Sequence, residues 1–158
     1  MEKKIIVCDS DKCSGCELCE YACSIYKEGT VNWSKSRIRH VRVEPVFDIA
    51  MACRKCETPL CIKACPRDAV AAAPDGSIRV DKDKCNGCGW CIEACAFGAL
   101  KLNWESRSAI ACDFCADNGG KPRCVEVCPY DALEYTTLDA VAHDSGKRAF
   151  LRVIEELE

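Results

Sequence analysis

The stretch CSGCELCEYAC, residues 13–23, places four cysteines within eleven residues. Only Leu18, Tyr21 and Ala22 within it are ordinary core side chains. The chain of 158 residues contains 17 cysteines, about 11% of its length, which is above the roughly 8–10% that marks scaffolds held together by cysteine chemistry. The cysteines therefore decide this fold.

The apolar core of the chain is expected to be thin. The hydrophobic fraction of 49% includes the cysteines, and without them it falls to about 38%. Globular domains usually contain roughly 45–50% apolar residues, counting glycine. A chain of this length forms one domain, or two very small ones that share a surface. Something other than aliphatic and aromatic side chains must fill part of the interior.

The N-terminal segment carries no targeting signal. Its apolar run, Ile5 to Val7, is followed by Asp9 and Asp11, and so does not fit a signal peptide. No apolar run approaches the ~20 residues of a membrane-spanning helix, and no twin-arginine leader is present. We expect a cytoplasmic protein without direct membrane insertion, in which thiols stay reduced and clustered cysteines bind metal.

The cysteines form four motifs of four, and only Cys8 is left over. The motifs are Cys13, Cys16, Cys19 and Cys23; Cys53, Cys56, Cys61 and Cys65; Cys85, Cys88, Cys91 and Cys95; and Cys112, Cys115, Cys124 and Cys128. The first and third have the spacing C-x2-C-x2-C-x3-C, the bacterial ferredoxin pattern for iron–sulfur clusters. Three thiolates converge on one cubane, and the fourth ligates the other cluster of a pair. In the second and fourth motifs the spacing that leads to the third cysteine is longer, and both motifs end in Cys-Pro.

Similar segments follow the motifs and predict a repeated structural unit. PRDAV at 66–70, AFGAL at 96–100 and PYDAL at 129–133 are predicted to form one helical turn each. Strands are predicted at 77–81, 100–103 and 133–138. The result is an α+β fold of short helices and short antiparallel strands, with little regular secondary structure.

Other uses of clustered cysteines fit the sequence less well. Zinc takes two C-x2-C pairs per ion and does not require the fourth cysteine that follows each triplet. A disulfide scaffold needs a secreted context. A c-type haem needs C-x-x-C-H, whereas neither His40 nor His143 follows a cysteine. The spacing therefore predicts four [4Fe–4S] clusters, with iron bound by the sixteen motif cysteines.

Candidates for catalysis are scarce. The sequence has no glycine-rich phosphate loop, no nucleophile elbow and no H-E-x-x-H motif. The sixteen motif cysteines are all used as ligands, so no iron site is left vacant, and we expect a non-catalytic protein. Cys8 is predicted to be a small buried apolar residue at the end of the strand KIIVC. The alternative for Cys8 is a replacement ligand or a reactive thiol.

The cysteine framework, about residues 5–138, resembles a family of four-cluster ferredoxin-like electron-transfer subunits. The iron–sulfur subunit of dimethyl sulfoxide reductase and the beta subunits of formate dehydrogenase and respiratory nitrate reductase typify this family. The resemblance is carried by CRKCETPLCIKACP and CDFCADNGGKPRCVEVCP, in which Pro59 and Pro122 precede the third cysteine by two residues. The larger members carry insertions and often a membrane-anchoring helix, and this sequence has neither.

The resemblance implies a cluster connectivity in which the first motif pairs with the fourth and the second with the third. The implied ligand sets are Cys13, Cys16, Cys19 and Cys128; Cys112, Cys115, Cys124 and Cys23; Cys53, Cys56, Cys61 and Cys95; and Cys85, Cys88, Cys91 and Cys65. An outer ferredoxin-like module (1–30 plus 104–138) would then enclose an inner one (48–103). The local alternative pairs the first motif with the second.

The resemblance also implies electron transfer. The chain would conduct single electrons between a larger catalytic subunit and ferredoxin or another redox protein. The absence of an anchor in the sequence favours a catalytic subunit that is a tungsten or molybdenum pterin enzyme of anaerobic metabolism, such as an aldehyde ferredoxin oxidoreductase-like enzyme. The alternatives are a subunit of a hydrogenase or carbon monoxide dehydrogenase, and a free-standing polyferredoxin carrier. A net charge of −3 argues against nucleic acid as a partner.

Two segments lie outside the cysteine framework. Residues 31–47 are predicted to form a basic strand or hairpin, in which Ile38, Val41, Val43 and Val46 alternate with basic residues; its charges are either solvated or dock a partner. Residues 139–158 are predicted to form an amphipathic helix with Asp144 or Ser145 near its N-cap. The apolar stripe of that helix comprises Ala149, Phe150, Val153, Ile154 and Leu157.

Overall fold

The computed structural model describes residues 3–43 and 47–155, with side chains described as far as residue 147. The helices are α1 (Leu18–Glu28), α2 (Leu60–Lys63), α3 (Trp90–Glu93), α4 (Arg123–Glu126) and α5 (Leu138–Glu155). The strands are β1 (Lys4–Cys8), β2 (Arg39–Val43), β3 (Phe47–Met51), β4 (Val70–Ala72), β5 (Ile78–Val80), β6 (Lys101–Asn103), β7 (Ser108–Ile110) and β8 (Leu133–Thr137). Single turns of 3-10 helix occur at Trp33–Lys35 and Ala116–Asn118. These short elements confirm the α+β class and the strands predicted at 77–81, 100–103 and 133–138.

Each strand pairs with one other strand, always antiparallel. The pairs β2–β3, β4–β5 and β6–β7 are local hairpins, whereas β1 pairs with β8 from the other end of the cysteine framework. Lys4 lies opposite Thr137, and Cys8 lies opposite Leu133. Since β1 precedes the first motif and β8 follows the fourth, this pairing brings the first and last motifs together.

The short helices lie earlier in each motif than predicted. Each helix begins one residue before the third cysteine of its motif, as α2 does at Leu60 and α3 at Trp90. The segments 66–70, 96–100 and 129–133 begin with turns and contain no helix, and their last residues begin or directly precede strands, so the helical turns predicted there are wrong. These turns follow helices of only one turn, which end before the fourth cysteine. Helix α1 packs against α4, and α2 packs against α3.

The core combines a few large apolar side chains with many thiols. Ile6, Ile38, Leu100 and Phe114 are each at most 2% exposed. The same buried cluster contains several alanines and the cysteines Cys23, Cys53, Cys61, Cys91, Cys112 and Cys124. The interior is therefore built around the motif cysteines, as the thin apolar composition predicted.

The basic segment at 31–47 contributes only one strand of a longer hairpin. Its strand β2 pairs with β3, which continues beyond the predicted end of the segment. Ile38 is buried, but Val41 and Val43 are exposed, so the predicted alternation does not mark a buried face. Val46 lies outside the described residues.

The β2–β3 hairpin packs against the first cysteine motif. A Cβ atom on Gly15 would lie 2.5 Å from a guanidinium nitrogen of Arg42 and 2.6 Å from a carboxylate oxygen of Asp48. Asp48 in turn accepts hydrogen bonds from Arg42 and contacts His40 Nε2 at 2.7 Å. The charges of the hairpin therefore lie against the first ligand loop as well as in solvent.

Two predicted domain boundaries fall inside hairpins. The boundary between residues 47 and 48 interrupts β3, and the boundary between 103 and 104 interrupts the β6–β7 hairpin. Hydrogen bonds of a hairpin hold its two strands as one unit, so both hairpins connect the segments on either side of these boundaries.

The C-terminal helix α5 begins earlier than predicted. It starts at Leu138, and the residues predicted near its N-cap, Asp144 and Ser145, lie inside it. The side chains of its predicted apolar stripe lie outside those described. None of the helices in the described part of the chain has the length and hydropathy needed to cross a membrane.

Replacing Ile6 by Ala should test the contribution of the β1–β8 pair to stability. Ile6 is 1% exposed, so we expect Ile6→Ala to lower the free energy of unfolding by about 2–5 kcal/mol. The measurement is anaerobic thermal denaturation of the iron-loaded protein, followed by circular dichroism. Ile25→Ala, on a side chain of α1 that is 50% exposed, is the control. Equal melting temperatures for the two variants would contradict this role of Ile6.

Candidate metal centres

All four ligand loops turn at the same position. The residue two places after the first cysteine has a positive φ in every motif: Gly15 at 69°, Lys55 at 47°, Gly87 at 72° and Phe114 at 55°. This left-handed conformation costs an ordinary residue about 1–2 kcal/mol. Lys55 and Phe114 adopt it without the freedom of glycine, and alignment of the four motifs was the signal that could have identified them.

The thiols of the second motif lie close to the last cysteine of the third. Burial, together with the neighbouring Cys53 and Cys95 thiols, raises the pKa of Cys61 to about 11. Burial likewise raises the pKa of Cys53, and Cys56 and Cys95 add to the rise. Such mutual effects require short separations between the sulfur atoms. Cys95 therefore lies beside the second motif.

The third motif has the reciprocal arrangement. Burial raises the pKa of Cys91, with further contributions from Cys85, Cys65 and Cys88. Cys65 is the last cysteine of the second motif, so each of these two motifs places its last thiol near the first three of the other. The contact between α2 and α3 holds the two motifs in this position.

The fourth motif receives the last cysteine of the first. Burial raises the pKa of Cys124 well above its usual value, and Cys112 and Cys23 make the largest further contributions, followed by Cys19 and Cys115. Burial also raises the pKa of Cys115, and Cys23 adds to that rise. Cys23 lies inside α1, which packs on α4 and so carries this thiol to the fourth motif.

The remaining thiols gather around the first motif. Burial raises the pKa of Cys19 to about 12, with smaller contributions from Cys16 and Cys13. Burial also raises the pKa of Cys8 to about 11, and both Cys13 and Cys128 contribute. Cys8 ends β1 as predicted, but it is half-buried and faces two motif thiols, so it is not a fully buried apolar residue.

Backbone N–H groups point at the last sulfur of each motif. In the second, third and fourth motifs the donor is the alanine four residues later: Ala69 to Cys65 at 3.3 Å, Ala99 to Cys95 at 3.4 Å, and Ala132 to Cys128 at 3.3 Å. These alanines belong to the repeated segments PRDAV, AFGAL and PYDAL. The repeats therefore supply donors to sulfur, which stabilise its anionic, metal-bound form.

The first motif obtains its donor from a different element. The backbone N–H of Arg37 donates to Cys23 Sγ at 3.3 Å. Arg37 precedes the β2–β3 hairpin, and its side chain pairs with Glu28 and Asp113, each at 3.3 Å. The hairpin segment is thus fixed to both α1 and the fourth motif.

Buried lysines connect different motifs. Lys27 of α1 donates to Asp113 at 2.8 Å and Asp117 at 2.6 Å in the fourth motif. Lys101 of β6 pairs with Glu20 of α1 at 3.2 Å. Burial lowers the pKa of Lys101, and the Glu20 carboxylate opposes that change. These ion pairs fix the relative positions of the motifs.

The donor set fits iron–sulfur clusters. All seventeen cysteines are free of disulfides, and the motif thiols stand in groups supplied with N–H donors. Within the described residues no three Cys, His, Asp or Glu side chains could hold a single metal ion. In a four-iron cluster each thiolate binds a different iron atom, so the sulfur atoms stand farther apart than around one ion. The raised pKa values mean that cluster binding must release protons from these thiols.

The exposure of the thiols differs between motifs. The second cysteine of each of the first three motifs is exposed, namely Cys16, Cys56 and Cys88. The corresponding Cys115 of the fourth motif is buried. The fourth motif is therefore the most enclosed of the four sites.

This fold and these thiol groups define a protein that holds several [4Fe–4S] clusters. Residues 45–138 match the 4Fe-4S dicluster domain, and residues 10–29 match a 4Fe-4S binding domain. The chain belongs to the 4Fe-4S dicluster family, as the sequence resemblance predicted.

Three curated relatives match most of the chain. The B subunit of anaerobic dimethyl sulfoxide reductase of Escherichia coli is 36% identical, and the match covers 89% of this chain and 77% of the relative. Thiosulfate reductase electron transfer subunit PhsB of Salmonella typhi is 32% identical, over 85% and 76%. The polyferredoxin-like subunit of aliphatic sulfonate oxidoreductase of Pyrococcus furiosus is 36% identical, over 86% and 79%.

A solved structure has the same fold. One polypeptide of the active-site complex BamBC of benzoyl coenzyme A reductase superposes with a TM-score of 0.52 and 28% sequence identity. The superposition covers 84% of this chain and 78% of that polypeptide. The similarity therefore extends over the cysteine framework and not only over a single motif.

Replacing Gly87 by Ala should impair the third ligand loop. A Cβ atom at Gly87 would lie 2.6 Å from the backbone oxygen of Arg107, which cannot move without displacing the β6–β7 hairpin. We therefore expect Gly87→Ala to lose the cluster of this loop, about a quarter of the bound iron if the chain holds four. The measurement is the iron and sulfide content of protein reconstituted under anaerobic conditions.

Gly89→Ala is the matched control for that loss. Gly89 lies in the same loop and also has a positive φ, but no atom lies within 4 Å of its Cβ position. Gly89→Ala therefore introduces only the backbone strain of about 1–2 kcal/mol, without the steric clash expected in Gly87→Ala. Equal iron losses in the two variants would contradict the steric argument.

Proposed function

We propose that this chain is the electron-transfer subunit of a larger oxidoreductase and conducts single electrons through four [4Fe–4S] clusters. The observation that carries the proposal is the mutual electrostatic effect of motif thiols, which in three cases joins cysteines of one motif to the last cysteine of another. Each cluster, when bound, accepts and releases one electron. The chain itself supplies the thiolates, the N–H donors and the buried surroundings.

We propose the ligand sets that the family resemblance implies. They are Cys13, Cys16, Cys19 and Cys128 for cluster 1; Cys112, Cys115, Cys124 and Cys23 for cluster 2; Cys53, Cys56, Cys61 and Cys95 for cluster 3; and Cys85, Cys88, Cys91 and Cys65 for cluster 4. Support comes from the thiols that raise the pKa of Cys124, Cys61 and Cys91, which are mainly the other members of the same set. For cluster 1 the support is that both Cys13 and Cys128 raise the pKa of Cys8.

The order of the clusters along the path is inferred from one electrostatic interaction between thiols of two proposed ligand sets. Burial raises the pKa of Cys112, and both Cys23 and Cys53 add to the rise. Cys53 belongs to cluster 3, so clusters 2 and 3 are neighbours. Clusters 1 and 2 share the first and fourth motifs, and clusters 3 and 4 share the second and third. We therefore propose the sequence 1, 2, 3, 4, with clusters 1 and 4 at the ends.

The same arrangement supports two ferredoxin-like modules. The outer module comprises residues 1–30 and 104–138, and the inner module comprises residues 48–103. Contacts of α1 with α4 and of α2 with α3 support this division. The hairpins β2–β3 and β6–β7 cross its nominal boundaries and connect the modules.

The partner is proposed to be a catalytic subunit that contains a tungsten or molybdenum pterin. The names of the relatives support a larger oxidoreductase as the partner, because they designate the B subunit of a reductase and the polyferredoxin-like subunit of an oxidoreductase. The tungsten or molybdenum pterin is what the family resemblance implies. Ferredoxin or another redox protein would exchange electrons at the opposite end, in the cytoplasm. Catalysis would belong to the larger subunit.

Native purification with metal analysis tests this function directly. We expect about sixteen iron atoms per chain with matching sulfide, together with a stoichiometric large chain that contains tungsten or molybdenum. A chain that elutes alone with sixteen irons would be a free carrier and would contradict the subunit assignment. Zinc in place of iron would overturn the proposal entirely.

Replacing Cys23 by Ala tests the proposed pairing. The variant should lose about four irons, because cluster 2 lacks one ligand, and should expose Cys112, Cys115 and Cys124 to an alkylating reagent under anaerobic conditions. Mass spectrometry of the alkylated peptides is the measurement. Cys65→Ala is the matched control and should expose Cys85, Cys88 and Cys91 instead. Alkylation of Cys53, Cys56 and Cys61 in Cys23→Ala would show that the first motif pairs with the second.

A further inference from the structure

A buried lysine lies between two ligand loops. Lys55 stands between Cys53 and Cys56 in the second motif, and its side chain is only 3% exposed. Its ammonium nitrogen is 4.1 Å from the ring centroid of Phe114, which lies between Cys112 and Cys115 in the fourth motif. This contact is called the central seam below, because it joins the loops of clusters 2 and 3.

An aromatic pair completes the central seam. Tyr135 of β8 stacks on Phe114 with ring centroids 5.7 Å apart, and the Lys55 ammonium is 6.0 Å from the Tyr135 ring. Phe114 is 2% exposed. The ammonium thus lies against aromatic faces in a region closed to water, where a charge acts over a longer range than it does in solvent.

The charge of Lys55 is less neutralised than that of the other buried lysines. Its one ion pair within the described residues is with Asp75 at 3.4 Å, and the Asp75 side chain is 42% exposed. Lys27, in contrast, contacts two carboxylates at 2.8 and 2.6 Å. Lys101 pairs with a Glu20 carboxylate that is 6% exposed. The protein carboxylates in the described residues therefore offset the charge of Lys55 less than they offset the charges of Lys27 and Lys101.

The field of Lys55 acts on a proposed cluster ligand. Lys55 is two residues after Cys53 and directly precedes Cys56, both proposed ligands of cluster 3, and its side chain is buried. The backbone of Lys55 also turns the ligand loop through its positive φ. An interaction that favours negative charge on sulfur also favours the reduced cluster, because reduction adds one negative charge.

We propose that the Lys55 ammonium raises the reduction potentials of the two clusters on either side of the central seam, so that an electron on the path resides preferentially in the middle. Lys55 acts on the clusters through its positive charge and contacts no substrate. The assignment of the two clusters rests on the ligand sets proposed above. Its consequence is that clusters 1 and 4, at the ends of the path, are harder to reduce than clusters 2 and 3.

Redox titration of the iron-loaded protein, followed by electron paramagnetic resonance, tests this inference. Lys55→Met keeps the length of the side chain and removes its charge. We expect two of the four reduction equilibria to shift by about tenfold or more towards the oxidised form, which is about 59 mV for one electron, while the other two keep their potentials. Lys55→Arg keeps the charge and should leave all four potentials close to those of the wild type.

Two further variants separate charge from packing. Asp75→Asn removes the negative partner and should shift the same two equilibria in the opposite direction, by less because Asp75 is partly exposed. Lys84→Met removes an exposed charge beside the ligand Cys85 and should have little effect, since solvent screens it. Asp75 and Lys84 are both at the surface, so these variants remain informative if Lys55→Met does not fold.

Each outcome decides between the two proposals. Four clusters with unchanged potentials in Lys55→Met, or unchanged potentials in Asp75→Asn, would overturn the role of Lys55 and leave the proposed function intact. Shifts of the same sign in Lys55→Met and Asp75→Asn would also overturn it, because they would indicate structural disturbance. A wild-type chain that does not bind four clusters would overturn the proposed function itself.

Discussion

Burial of thiols where other proteins bury aliphatic side chains is the constraint on which this structure depends. Cys23, Cys61 and Cys91 occupy core positions, yet burial raises the pKa of the latter two thiols and so disfavours the anion that binds iron. The N–H groups that point at sulfur oppose this effect, most clearly at Cys65, whose pKa is lowered by the N–H groups of Arg67, Ala69 and Val70 despite some burial. Ligand binding and core formation are therefore one process in this chain.

Buried lysines provide the connections that the small apolar core cannot. Lys27 links α1 to the fourth motif, Lys55 links the second motif to the fourth, and Lys101 links β6 to α1. A buried ion pair adds little net stability, but an unpaired partner is costly, so such pairs penalise other arrangements. The relative positions of the motifs are specified by charge, while the interior of each motif is specified by cysteine spacing.

The features that depend on residue spacing could be predicted from the sequence, whereas the positions of the one-turn helices and of the left-handed residues could not. Strands β5, β6 and β8 and the grouping into four motifs were predictable, because alternation and cysteine spacing are periodic signals. The helices around Leu60 and Trp90 were placed too late, since a helix of one turn leaves no amphipathic pattern. The left-handed Lys55 and Phe114 gave no signal in their residue types, and only alignment with Gly15 and Gly87 indicates them. The position of Lys55 at the contact between two loops required the tertiary structure.

The pairing of β1 with β8 has a consequence for biosynthesis. Strand β1 is synthesised before the cysteine motifs, but its partner, residues 133–137, is synthesised only after all four motifs. The β4–β5 hairpin, whose strands are separated by only a short turn, can close long before that. Local hairpins can therefore close before β1 pairs, and a protein truncated before residue 133 would leave β1 without its partner strand.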